Sequence, residues 1–137
     1  MPDVIIIGDG PAGLSAALFL AKNGQNVIVF GLDKTSMHYA MLYNYLGIPE
    51  ITGSDFQRVA REQVQKFGAE IQAQEIISIE QNGAGFIVAT ASGERYDSKY
   101  LILAEGKAFP EGCLTRLVIG MRFIHPVSQL LRNVSVR

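Results

Sequence analysis

Three glycines near the amino terminus, Gly8, Gly10 and Gly13, stand in the order G-x-G-x-x-G within VIIIGDGPAG. That spacing suits a pyrophosphate. The first glycine permits a tight turn, the second lets the backbone approach the phosphates, and the third lets a following helix pack closely on a sheet. A helix starting here would present free N–H groups and the positive end of its dipole to an anion. Pro11 fits the first helical turn, where no N–H is missed. Asp9 works against this chemistry, because a carboxylate beside a pyrophosphate repels it unless the side chain points away. The plainer alternative is a glycine-rich turn in an α/β domain that binds nothing.

An acid is expected about 20 residues beyond the glycines, at the end of the next strand, to hold ribose hydroxyls. The sequence there reads VIVFGLDKT, with Phe30 and Gly31 at the strand end and Asp33 in the loop after it. Phe30, Gly31 and Asp33 are the candidates for that side of the site, Asp33 reaching in from a displaced loop. Asp33 and Lys34 also read as solvated turn residues, and Lys34 as a partner for a 2′-phosphate. Further along, His38, Tyr39, Tyr43 and Tyr45 cluster in TSMHYAMLYNYLGIPE. Their rings can stack on a planar cofactor, or simply pack with Met37, Met41 and Leu42. His38 is a weak candidate for a general base. Cys113 is the only cysteine, which excludes an intramolecular disulfide and a C-x-x-C pair. No His/Cys/Asp/Glu cluster has metal-ligand spacing.

These residues need elements to position them. Val4 to Ile7 is a β-branched run stopping at glycine, the mark of a buried parallel strand. In LSAALFLAKNG, Leu14, Leu18 and Ala21 share a helical face, and Asn23-Gly24 ends the helix. Val27 to Phe30 is a second buried strand, completing β-α-β with a right-handed crossover. A helical turn and a loop broken by Gly47 and Pro49 follow. In the next helix Ser54 and Gln57 read as a capping box, Phe56, Val59, Ala60, Val64 and Phe67 as the apolar face, and Gly68 as the carboxyl-end glycine. Ala69 to Ala73 predicts a third parallel strand. EIISIEQNGAGFIVATASGERYDSKYLILAEG predicts a β-meander turning at Asn82-Gly83 and Ser92-Gly93, then a further buried strand from Tyr100 to Ala104.

The 137 residues fit one domain or part of a larger one, and 48% of them are apolar, enough for a core. A formal net charge of −1 gives no sign of nucleic acid or an anionic membrane as partner. No apolar run is long enough to span a bilayer. The amino terminus lacks the basic region and cleavage site of a signal peptide, so the chain reads as cytoplasmic. From Gly112 to Arg137 the sequence has no Asp, Glu or Lys but four Arg and one His, His125, beside Pro126. That segment shows no clear period.

The combination of D-V-I-I-I-G-x-G-P-A-G-L-S-A-A, N-Y-x-G in the forties, a meander, and L-I-L-A-x-G ending at Gly106 resembles the FAD domain of thioredoxin reductases. It resembles more closely the small thioredoxin-reductase-like flavoproteins made of this domain alone. The resemblance covers about residues 1–110 and implies an α/β, Rossmann-like FAD/NAD(P)-binding domain whose parallel sheet carries a β-meander crossover. It implies FAD as cofactor, its pyrophosphate held by Gly8, Gly10, Pro11, Ala12 and Gly13. It places Asn44 in the loop that approaches the flavin, Ile76 at the adenine through its backbone, and Ala104, Glu105 and Gly106 closing over the cofactor. Leu46 stands where the family has Pro, and Glu105 where it has Thr. An acid at 105 disfavours an anionic cofactor unless it is turned outward or protonated.

The family's NADPH domain, its C-x-x-C, and its late G-D segment are not found in this sequence. Residues 111–137 therefore read as a divergent tail, from a truncated or frame-shifted product, and the domain as incomplete at its carboxyl end. Reading the gene in another frame beyond about codon 107 tests this, since a G-D motif should appear. Electrons would come from diffusing NAD(P)H or a redox partner protein. An open sheet edge predicts a homodimer or an aggregation-prone monomer, with the tail's apolar residues over that edge. The alternatives are a non-catalytic remnant and a plain NAD(P)-binding module.

Overall fold

The computed structural model describes residues 1–105. The expectations for Gly106, Cys113, His125 and the tail from residue 111 onward concern residues outside those described.

Four short strands make an all-parallel sheet. They are β1 (Val4–Ile7), β2 (Val27–Phe30), β5 (Glu70–Gln72) and β9 (Tyr100–Leu103), in the order β5-β2-β1-β9. Register runs Val4 to Ile7 against Val27 to Phe30 on one side and against Tyr100 to Leu103 on the other. All residues of β1 and β2 are buried, as unbroken apolar runs require.

Alternation along these strands splits the core in two. Val4, Ile6, Val27 and Val29 face α1 (Pro11–Lys22) and α2 (Gly53–Lys66), meeting Leu14, Ala17, Ala21 and Val64. Ile5, Ile7, Ile28 and Phe30 face the antiparallel meander of β6 (Ile76–Asn82), β7 (Gly85–Thr90) and β8 (Arg95–Ser98), meeting Ile79, Val88 and Tyr96. This is the expected Rossmann-like arrangement. Helix α1 starts on Pro11 and ends at Asn23, with Gly24 following at φ +78°. Gly68 does the same for α2 at φ +94°.

Four expectations need correction. Ser54 does not cap α2. Thr52 does, its Oγ1 accepting the Asp55 N–H at 3.1 Å and donating to the Asp55 carboxylate at 2.8 Å. The helix begins earlier because Gly53 packs against the Met37 carbonyl, where a Cβ would not fit. The apolar face of α2 is also turned: Val59 and Phe67 are each 45% exposed while Gln57 is fully buried. Gln57 is inside because it is hydrogen-bonded there, which apolar periodicity does not register. The strand at Tyr100 exists and pairs with β1, but Tyr100 is 63% exposed, since β9 lies at the sheet edge among the described residues. Finally, the segment after β2 holds a 3-10 turn (Ser36–Tyr39) and a small hairpin of β3 (Met41–Leu42) with β4 (Ile51–Thr52), where only a turn and a loop were expected.

No helix among the described residues is long and apolar enough to cross a membrane.

Candidate functional site at the carboxyl ends of the parallel strands

Strands β1, β2 and β9 end together, and the segments leaving them converge. Ligands of open parallel sheets bind in this crevice. Gly8 donates its N–H to Phe30 O at 2.8 Å, and Ala104 donates its N–H to Ile7 O at 2.7 Å. Gly8 adopts φ +109°, and a Cβ there would lie 2.5 Å from Ala104 O. Gly13 lies directly on the Gly8 carbonyl, leaving no room for a side chain. Gly10 is the N-cap of α1 with no side chain capping it and no acid in the first turn. The amino end of α1 is thus left with backbone donors for an outside anion.

Beneath the turn lies a polar cluster that patterns alone did not assemble. Asp9 is only 5% exposed. Its Oδ2 accepts from Arg61 Nη1 at 2.5 Å and from the Asp33 N–H at 3.0 Å. Gln57 Nε2 donates to the Asp9 carbonyl at 2.5 Å and to Asp33 Oδ1 at 3.2 Å. His38 Nε2 donates to Asp33 O and Oδ1, both at 3.0 Å, while His38 Nδ1 meets Ser54 Oγ at 3.1 Å. Asp33, half-exposed, is held in the left-handed region at φ +54° by these partners. His38 therefore braces Asp33.

Gly31 explains the Asp9 geometry. A Cβ on Gly31 would fall on the Asp9 carboxylate. The glycine that seemed to leave the strand end without an acid makes the seat into which Asp9 turns. Gly31→Ala is expected to eject that carboxylate or distort the strand end, lowering stability by about 2–3 kcal/mol in urea unfolding. A loss below about 0.5 kcal/mol, the level of an ordinary surface change, would show the seat to be loose.

The other candidates are placed as follows. Phe30 is a core ring, 1% exposed, in an edge-to-face pair with Tyr96 at 5.0 Å. Ile76 is buried at the start of β6. Asn44 is exposed in the loop after β3, beside Tyr43 and Leu46, with Tyr45 tilted onto Phe56 at 5.2 Å. Ala104 and Glu105 lie against Gly8. Burial raises the Glu105 carboxyl above the usual range, and the nearby Glu75 charge adds to it; both favour the protonated form that a neighbouring anion needs. Arg61 and Gln57 were missed. Their signal was present, two polar residues four apart that share the helical stripe of Val64.

Comparison with known proteins agrees with this geometry. Residues 2–123 match the family model described as pyridine nucleotide-disulphide oxidoreductase. The chain is 37% identical over 110 residues to the bifunctional thioredoxin reductase/thioredoxin of Mycobacterium leprae, covering 76% of this chain and 24% of that one. It is 33% identical over 108 residues to the thioredoxin reductase of Aquifex aeolicus, covering 76% and 33%. The crystal structure of an atypical thioredoxin reductase from Desulfovibrio vulgaris Hildenborough superposes with a TM-score of 0.73 at 32% identity, covering 80% of this chain and 38% of that one. The chain thus spans between 24% and 38% of the length of these relatives.

Proposed function

The chain belongs to the pyridine nucleotide-disulphide oxidoreductase family, as a homologue of the flavin domain of thioredoxin reductases, and on that premise we propose that it binds FAD and serves an FAD-dependent oxidoreductase reaction. The observation that carries this is the glycine turn: Gly8, Gly10 and Gly13 packed so that the uncapped amino end of α1 faces outward. In this reading residues 1–110 form the cofactor-binding unit. Gly8, Gly10, Pro11, Ala12 and Gly13 meet the pyrophosphate, and Asp33, braced by His38 and Gln57, offers a carboxylate oxygen to the ribose. Ala104 and Glu105 close the other side. Asn44 and its exposed aromatic neighbours lie on the flavin side. The flavin, when bound, supplies the two-electron redox chemistry. Diffusing NAD(P)H or a redox partner protein would supply the electrons, and these 137 residues, with one cysteine, hold no C-x-x-C pair to pass them on.

The test is a visible absorption spectrum of the purified chain before and after incubation with FAD. We expect a bound-flavin band that is released on denaturation and bleached by NAD(P)H without oxygen. Protein that stays colourless in excess FAD would overturn the reading. Stronger thermal stabilisation by NAD(P) than by FAD would favour a plain dinucleotide module instead.

A further inference from the structure

We propose, resting on the reading that the glycine turn takes FAD, that Arg61 is a positioning residue for the cofactor. It holds the Asp9 carboxylate behind the turn and cancels its charge, so that an acid can stand between two phosphate-binding glycines. Asp9 lies between Gly8 and Gly10, whose backbone must approach the pyrophosphate. A carboxylate free to swing there would oppose a doubly charged group at short range, inside a partly desolvated crevice.

Three parts of the fold prevent this. Arg61, from α2, reaches Asp9 Oδ2 at 2.5 Å, across 52 positions of sequence. The Asp33 N–H, from the loop after β2, donates to the same oxygen at 3.0 Å. Gly31, at the end of β2, leaves the space that the carboxylate fills. The charged and titratable groups that face this seat are Asp9, Arg61, Asp33 and His38. Arg61 approaches Asp33 as well, at 3.9 Å from Oδ1, and its side chain is 24% exposed. It therefore sits between the two acids, neutralising the one that must not be seen by the phosphates and leaving the other half-exposed.

The experiment titrates the full chain with FAD, and separately with ADP, and follows binding by flavin fluorescence and calorimetry. The variants are Arg61→Gln, Arg61→Lys, Asp9→Asn and the Arg61→Gln/Asp9→Asn pair, at low and high salt. Arg61→Gln should weaken both ligands by about tenfold or more, with the loss shrinking in high salt. Adding Asp9→Asn to it should restore affinity to within about threefold of wild type, and Arg61→Lys should keep most of it.

If the pair binds as poorly as Arg61→Gln alone, Arg61 acts by touching the cofactor or by bracing the fold, and the inference is wrong. It is equally wrong if Arg61→Gln binds like wild type. Should Arg61→Gln fail to fold, the uncharged pair decides: it must fold and bind within about threefold of wild type. A pair that fails either requirement assigns the contact to stability alone. Wild-type protein that takes neither FAD nor ADP removes the function proposed above together with this inference. Wild-type binding without coupling between positions 9 and 61 removes only the inference.

Discussion

Alanine at Gly13 is expected to lower stability by about 3 kcal/mol and to leave the purified protein without flavin in excess FAD. The reason is crowding, and the crowded atoms are backbone. A Cβ at Gly13 would fall on the Gly8 carbonyl, which no side-chain rotation can move aside. Gly8 cannot yield either. It is held by the bond from its N–H to Phe30 O, sits at φ +109°, and is itself pressed against Ala104 O. Relief can come only from moving α1 away from the sheet, which opens the contacts of Leu14 and Ala17 and carries the N–H groups at the amino end of the helix off their positions. Gly24 provides the control. It has a positive φ of 78° but open space around it, so Gly24→Ala should cost only about 1 kcal/mol and leave the flavin bound. Urea unfolding and a visible spectrum of the two variants separate the explanations. If they lose equal stability and both keep FAD, close packing at the turn is not what the third glycine provides.

Much of this was legible in the residues. Val4 to Ile7, the three glycines and Val27 to Phe30 announce strand, turn, helix and strand through apolar runs and glycine spacing, and those signals are local. The meander was readable for the same reason, with Asn82-Gly83 and Ser92-Gly93 marking its turns. The polar cluster was not. Asp9, Gly31, Asp33, Gln57 and Arg61 come from three segments, and each alone has an ordinary explanation. Asp9 looked like an unwelcome charge, Gly31 like a missing acid and Gln57 like half of a capping box. Only the fold shows that the first fills the space of the second and that the third hydrogen-bonds to Asp9 and Asp33. Apolar periodicity also misplaced the face of α2, because it counts Val59 and Phe67 as buried and cannot foresee a buried amide whose Nε2 donates to Asp9 and Asp33. Thr52 lost to Ser54 for a related reason: both precede an acceptor at capping distance, and the choice depends on Gly53 packing against Met37.

Phe30→Ala is expected to lower stability by about 3–5 kcal/mol. Phe30 is one of the largest fully buried side chains, and its position explains the size of the effect. It ends β2 on the face covered by the meander, and its ring meets Tyr96 of β8 edge-to-face at 5.0 Å and 63°. That pair adds on the order of 1 kcal/mol beyond area burial and ties together two sheets that share no strand. Truncation leaves a cavity between two layers that are each stiffened by their own hydrogen-bonded ladders, so the site collapses little and most of the lost contact energy is not recovered. Phe30→Leu, which keeps most of the volume, should cost about 1.5 kcal/mol or less. Because the Phe30 carbonyl accepts the Gly8 N–H, FAD affinity should fall in step with stability across Ala, Leu and wild type. Denaturant unfolding alongside FAD titration measures both. A leucine variant that keeps nearly full stability but loses flavin would show that the ring itself meets the cofactor.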